Sequence, residues 1–80
     1  MRQSILTVNG GTVRALRIAL GWNLSTFAAA VGVSEGFMSR IERDLRQPAP
    51  EVRLRIARTL GVPLGVITRE PWTQLTEDAA

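Results

Sequence analysis

Cysteine and histidine are both absent from the 80 residues. Without thiols there are no disulfides and no thiolate nucleophile. Without imidazole the usual general base and the commonest metal ligand are missing too. Asp, Glu, Arg, Ser and Thr remain, with no pairing among them that suggests a catalytic site. The chain is therefore expected not to be an enzyme, to hold no metal or cofactor, and to take no small-molecule ligand. Long apolar runs are also lacking. The stretch from Phe27 to Val31 falls far short of the ~20 residues needed to cross a bilayer. The apolar run after Met1-Arg2-Gln3-Ser4 is too short for a secretory leader, so a cytoplasmic protein with no membrane contact is expected.

Lysine is missing as well, and all ten basic residues are arginine. A GC-rich coding sequence accounts for that choice; the placement of the charge is more informative. Residues 1–69 hold the ten arginines against Glu35, Glu42, Asp44 and Glu51, a balance of +6, whereas residues 70–80 hold Glu70, Glu77 and Asp78 and no base. A basic body of this kind is the electrostatic footprint of a polyanion binder, although solvated surface arginines also produce it. The apolar content of 45% fits one globular domain, small enough to be marginally stable as a monomer.

The expected organisation is an N-terminal arm or strand over residues 1–11, a helical body over 12–69, and an acidic tail over 70–80 that is either a dimer contact or disordered. Ser4 to Val8 is β-branched and apolar and stops at Asn9-Gly10-Gly11. The first helix is predicted from about Thr12 to Leu20, with Val13, Leu16 and Leu20 on its inner face and Gly21 ending it. Asn23 caps a second helix that buries Phe27, Ala28 and Val31. Gly32-Val33-Ser34 makes a short turn. Ser34 then caps a third helix, which runs to about Arg43 with Met38 and Ile41 facing inward. Pro50 opens a fourth helix carrying Val52, Ile56, Ala57 and Leu60, closed by Gly61. Pro63 opens a short fifth helix with Leu64 and Ile67. The fold class is all-α, five helices, with any strand confined to the ends.

Two short helices joined by a glycine-containing turn form a helix-turn-helix. The first lies across the phosphate backbone and braces the second, whose outer face enters the major groove. Ala28 supplies the small residue that a steep helix crossing needs. Gly32 supplies the positive φ that the turn requires.

The chain from Val13 to Ile67 resembles the phage-repressor and Cro type of helix-turn-helix domain, the XRE-like family with a lambda-repressor-like fold. The residues that carry the likeness are Arg14, Leu16, Arg17, Gly21, Ala28, Gly32-Val33-Ser34, Ser39-Arg40-Ile41-Glu42-Arg43, Pro48, Ile56-Ala57 and Leu60-Gly61-Val62. The resemblance implies a structural ion pair between Arg17 and Glu42. It also implies a host setting in a bacterium or phage-infected cell, close to the nucleoid. Four positions depart from the family pattern. Leu24 replaces a glutamine that bonds phosphate, leaving that contact to Asn23 and the helix N-terminus. Asp44 replaces a glycine, Ala49 a Ser or Thr cap, and Arg53 an apolar residue that would face inward; Arg53 is expected to snorkel or to meet another subunit.

By the same resemblance Glu35 and Arg40 occupy base-reading positions. Arg40 suits guanine O6 and N7, and Glu35 suits cytosine N4, although Glu35 also complements the helix dipole. Phe37 either presses on a thymine methyl or packs on the domain's own surface. Ser34 and Ser39 lie beside them. Arg43 and Arg46 flank the following loop as phosphate contacts, with Arg14 as a further candidate. Arg55 and Arg58 read as ordinary surface charges.

Specific reading generally needs two-fold pairing on a palindromic operator, so a homodimer on double-stranded DNA is expected. Leu64, Val66, Ile67, Trp72 and Leu75 are the dimer candidates, with Ile5, Leu6 and Val8 as a strand and Ile18 as an exposed contact. The alternative is an antitoxin or other protein-interaction module whose tail, carrying Trp72, binds a protein partner.

Overall fold

Polar side chains start the first three helices in the same way. The computed structural model describes residues 6–69 of the chain. Helix α1 (Gly10–Ala19) is capped by Asn9, whose side-chain oxygen accepts the Thr12 N–H at 3.3 Å. Helix α2 (Leu24–Val31) is capped by Asn23, which accepts from Thr26 at 2.8 Å. Helix α3 (Glu35–Glu42) is capped by Ser34, which accepts from Phe37 at 3.0 Å. Each oxygen satisfies a backbone donor that the first helical turn would otherwise leave unpaired. Helix α4 (Pro50–Leu60) has no side-chain cap from Ala49 and starts on Pro50, which brings no N–H to satisfy. Helix α5 is the single turn Leu64–Ile67.

The five helices pack around one apolar cluster. Helix α2 lies against α3 and α4, α1 against α3, and α5 against both α1 and α4. Phe27, Met38, Ile41, Ile56 and Ile67 are its largest fully buried side chains, and every helix contributes. The spacing of Met38 and Ile41, and of Ile56, Ala57 and Leu60, puts each set on one stripe of its helix, which is why the pattern is legible in the sequence.

The chain ends of the described unit meet in a small ribbon. Strand β1 (Thr7–Val8) pairs antiparallel with β2 (Thr68–Arg69), Thr7 opposite Arg69 and Val8 opposite Thr68. The Asn9 N–H extends the pairing to the Ile67 carbonyl at 2.8 Å. The segment before residue 12 is thus partly integral to the body, and a boundary after residue 11 falls inside α1. Val8 is fully buried, so its side chain is spent on the chain's own core and is not open to a dimer partner.

The structure corrects three further expectations. Helix α1 begins at Gly10, not Thr12, because Gly10 sits against the end of α3. A Cβ at residue 10 would press into the carbonyl oxygens of Ile41 and Glu42. The glycine serves close approach between helices rather than a turn. Leu20 does not line the inner face: α1 ends at Ala19, and Leu20 stands 54% exposed at its C-cap. The inner stripe is Gly10, Val13 and Arg17, with Leu16 half-buried against the core as expected. Ile67 cannot be a dimer contact, since it is 0% exposed in the core. Leu64 is half-buried against that core. Trp72, Leu75, Ile5 and the acidic tail lie outside the described residues.

The approach at Gly10 generates a prediction. Gly10→Ala removes about 3 kcal/mol of stability, the upper range for overpacking, since the added methyl meets backbone and not a flexible side chain. Urea denaturation of the two proteins, compared at equal slope, measures it.

Candidate nucleic-acid interface

The turn between α2 and α3 is built from backbone geometry first. Gly32 adopts φ 95°, in the left-handed region. The N–H groups of Gly32 and Val33 both return to the Ala28 carbonyl, at 2.8 and 3.0 Å. An L side chain at residue 32 would be strained by about 1 kcal/mol or more. The Val31 carbonyl accepts from Arg55 Nε at 2.7 Å, and Arg55 also pairs with Glu51 at 3.1 Å. Arg55 is therefore not a free surface charge. It ties α4 to the end of α2 and fixes the turn from outside.

With Met38 and Ile41 directed into the core, α3 presents the opposite face. Glu35, Gly36, Arg40 and Arg43 are exposed, and Ser39 is partly so. These positions recur at one-turn intervals, which places them on a single strip of the helix. Arg43 Nε leans back onto the Ser39 carbonyl at 3.3 Å. Arg40 has no ion-pair partner among the described residues. Ser34 uses its oxygen as a cap but keeps its hydroxyl proton free to donate. Asn23 is exposed at the start of α2, its side-chain oxygen accepting from both the N–H and the hydroxyl of Thr26.

The loop after α3 is held at three points. Asp44 has φ 61°, and its carboxylate accepts the Gly10 N–H at 2.9 Å. The expected glycine position is thus filled by a residue that supplies an N-terminal partner to α1 in return for a left-handed backbone. Gln47 bonds both backbone groups of Val8, accepting from the N–H at 2.8 Å and donating to the carbonyl at 3.4 Å. Arg46 places its guanidinium over the Phe37 ring, 5.4 Å from the centroid. Phe37 itself is half-buried against the core. Arg53 is half-buried too; it donates to the Leu6 carbonyl at 3.4 Å and leaves its Nε without a partner among the described residues.

Beneath the strip lies a buried ion pair. Arg17 Nε and Nη2 meet the two oxygens of Glu42 at 2.7 and 3.1 Å, and Arg17 Nη1 donates to the Trp22 carbonyl at 2.9 Å. Both residues are under 10% exposed, Arg17 at 8% and Glu42 at 7%. Trp22 turns its ring edge-on to Phe27, with centroids 5.7 Å apart. With Glu42 matched by Arg17 and Asp44 bonded to α1, the exposed strip is left predominantly positive. Among the described residues no cluster of metal-ligating side chains occurs, and no helix is long and apolar enough to cross a membrane.

Sequence reasoning missed Trp22, Gln47 and the structural role of Arg55. For Trp22 the signal is present: a large aromatic between a helix-ending glycine and a capping asparagine must pack somewhere.

The helix-turn-helix family profile matches residues 13–67, well over half of the chain. The chain belongs to the helix-turn-helix family. It is 38% identical over 60 residues to an uncharacterized HTH-type transcriptional regulator of Mycobacterium tuberculosis, a match covering 75% of this chain and 23% of that protein. The chain thus spans about a quarter of the length of such a relative. Among solved structures it is similar to the P22 c2 repressor protein in complex with a synthetic operator, with TM-score 0.69 and 27% identity over 72% of this chain and 89% of that one. The restriction-modification controller protein C.AhdI from Aeromonas hydrophila matches with TM-score 0.68 and 26% identity, over 71% and 86% of the two chains. These neighbours are lambda-repressor-like helix-turn-helix domains, and the five-helix body described above shares their fold.

The buried pair yields a prediction. Arg17→Met or Glu42→Leu alone costs about 3–5 kcal/mol, because the partner charge is left stranded. The double substitution costs clearly less than the sum. Denaturation of all four proteins in a double-mutant cycle checks it.

Proposed function

We propose that this helix-turn-helix chain is a sequence-specific, double-stranded DNA-binding transcriptional regulator of repressor or Cro type. In this reading α3 sits in the major groove, and a homodimer engages a palindromic operator. The observation that carries the reading is the exposed strip on α3, whose opposite face is locked into the core and whose charged groups face solvent. A helix braced in this way fits a B-form groove without rearrangement. The resemblance to a repressor bound to its operator supports the same placement.

Arg40, long and unpaired among the described residues, reads a guanine edge. Glu35 and Ser39 face neighbouring bases. Arg43 and Arg46 hold phosphate, with Asn23 and Ser34 adding donors from the starts of α2 and α3. Arg17 and Glu42 touch no DNA and keep α3 seated on α1. For the dimer, α4 and α5 offer Leu54 and Val66, both exposed, and the half-buried Leu64.

Three outcomes test this. With an operator selected from a random duplex library, Arg40→Ala loses about 1–3 kcal/mol and relaxes preference at one base pair. Arg46→Ala weakens all duplexes alike and flattens the log–log salt dependence by about 0.9. Retention of full affinity by both variants would remove α3 from the groove. In sedimentation, two chains are expected per operator duplex; a single chain per duplex at micromolar protein refutes the dimer.

A further inference from the structure

Phe37 stands at the edge of the exposed strip yet is half-buried against the core. The Arg46 guanidinium carbon lies over its ring, 5.4 Å from the centroid. A ring under a guanidinium has one face occupied, and a side chain anchored in the core is poorly placed to reach a base. Arg46 is in the complementary position. It is exposed, and none of its N–H groups has a protein acceptor among the described residues. A planar cation stacked on an aromatic loses rotamer freedom but keeps its in-plane N–H edge, the edge that forms paired hydrogen bonds to phosphate.

We infer that Phe37 is a positioning residue for Arg46, not a base reader: the cation–π contact presets a two-pronged phosphate contact in the middle of the loop after α3. The inference rests on the DNA-binding reading above and deepens it. It assigns Phe37 to affinity and not to sequence preference. It also makes Arg46 depend on its guanidinium shape and not only on its charge, because an ammonium at that position neither stacks as a plane nor bonds two oxygens in parallel. Asp44 and Gln47, by pinning the loop to Gly10 and Val8, fix the backbone from which Arg46 reaches the ring.

The experiment compares duplex binding of Phe37→Leu, Phe37→Tyr, Arg46→Lys, Arg46→Ala and the Phe37→Leu/Arg46→Ala double variant. Each is measured on the selected operator, on random duplex, and on the operator with thymines replaced by deoxyuridines. Phe37→Leu is expected to weaken operator and random duplex equally, by about two- to fivefold, the range for an exposed cation–π contact. Phe37→Tyr, which keeps the ring, restores binding. Arg46→Lys loses as much as Phe37→Leu, and Phe37→Leu adds nothing once Arg46 is alanine. Wild-type protein binds the deoxyuridine operator as well as the thymine one.

The contrary result is equally definite. Weaker binding to the deoxyuridine operator that disappears in Phe37→Leu makes Phe37 a methyl reader and overturns the inference. So does an undiminished effect of Phe37→Leu in the Arg46→Ala background. A DNA-free readout separates folding from positioning. The Arg46 δ-methylene protons are expected upfield from ring current in the wild type, and at ordinary positions in a folded Phe37→Leu variant. If the wild-type chain binds no duplex at all, the functional reading itself fails and this inference with it. Duplex binding that is indifferent to Phe37 sinks only the inference.

Discussion

The bidentate contact between Arg17 and Glu42 is the constraint on which the rest of the architecture turns. It joins the last turn of α1 to the last turn of α3 inside a molecule that has little interior to spare. A buried ion pair gives little net stability over an apolar pair of equal volume, but it fixes direction in a way that methyl groups do not. Here the fork geometry sets the rotation of α3 about its own axis. Rotation decides which side chains of α3 face outward, so the pair governs the exposed strip without belonging to it.

A second layer of contacts holds the loop beyond α3. The close approach at Gly10 lets the start of α1 lie against the end of α3, and Asp44 uses that proximity to bond the Gly10 N–H. Gln47 acts as a second partner for strand β1, matching the N–H and the carbonyl of Val8 with one amide. The segment 43–47 is exposed yet has its backbone anchored at both ends. Charges on such a segment are held at set positions before any ligand arrives, which reduces the entropy lost on association.

Much of this is legible in the residues. The caps at Asn23 and Ser34, the reversed φ at Gly32, the stripe of Phe27, Ala28 and Val31, and the limits of α4 between Pro50 and Gly61 all arise from local chemistry, and local chemistry is what a sequence displays. The misreadings share one physical cause. Gly10 reads as punctuation because its neighbour across space, the carbonyl end of α3, is distant in the chain. Arg55 reads as a solvent charge because its acceptor, the Val31 carbonyl, is likewise on another element. Ile67 reads as a surface residue because a one-turn helix has no periodicity long enough to mark its inner side. The positions expected to meet DNA come from the resemblance and from the outward spacing on α3; the stacking of Arg46 on Phe37 needs coordinates.

The ribbon of β1 and β2 has a bearing on how this unit combines with others. Because Thr7 stands opposite Arg69, the polypeptide enters and leaves the body at one edge, a strand's width apart. The described unit is closed on itself at this ribbon. A unit closed in this way is suited to insertion within a larger chain as well as to attachment at either end of one.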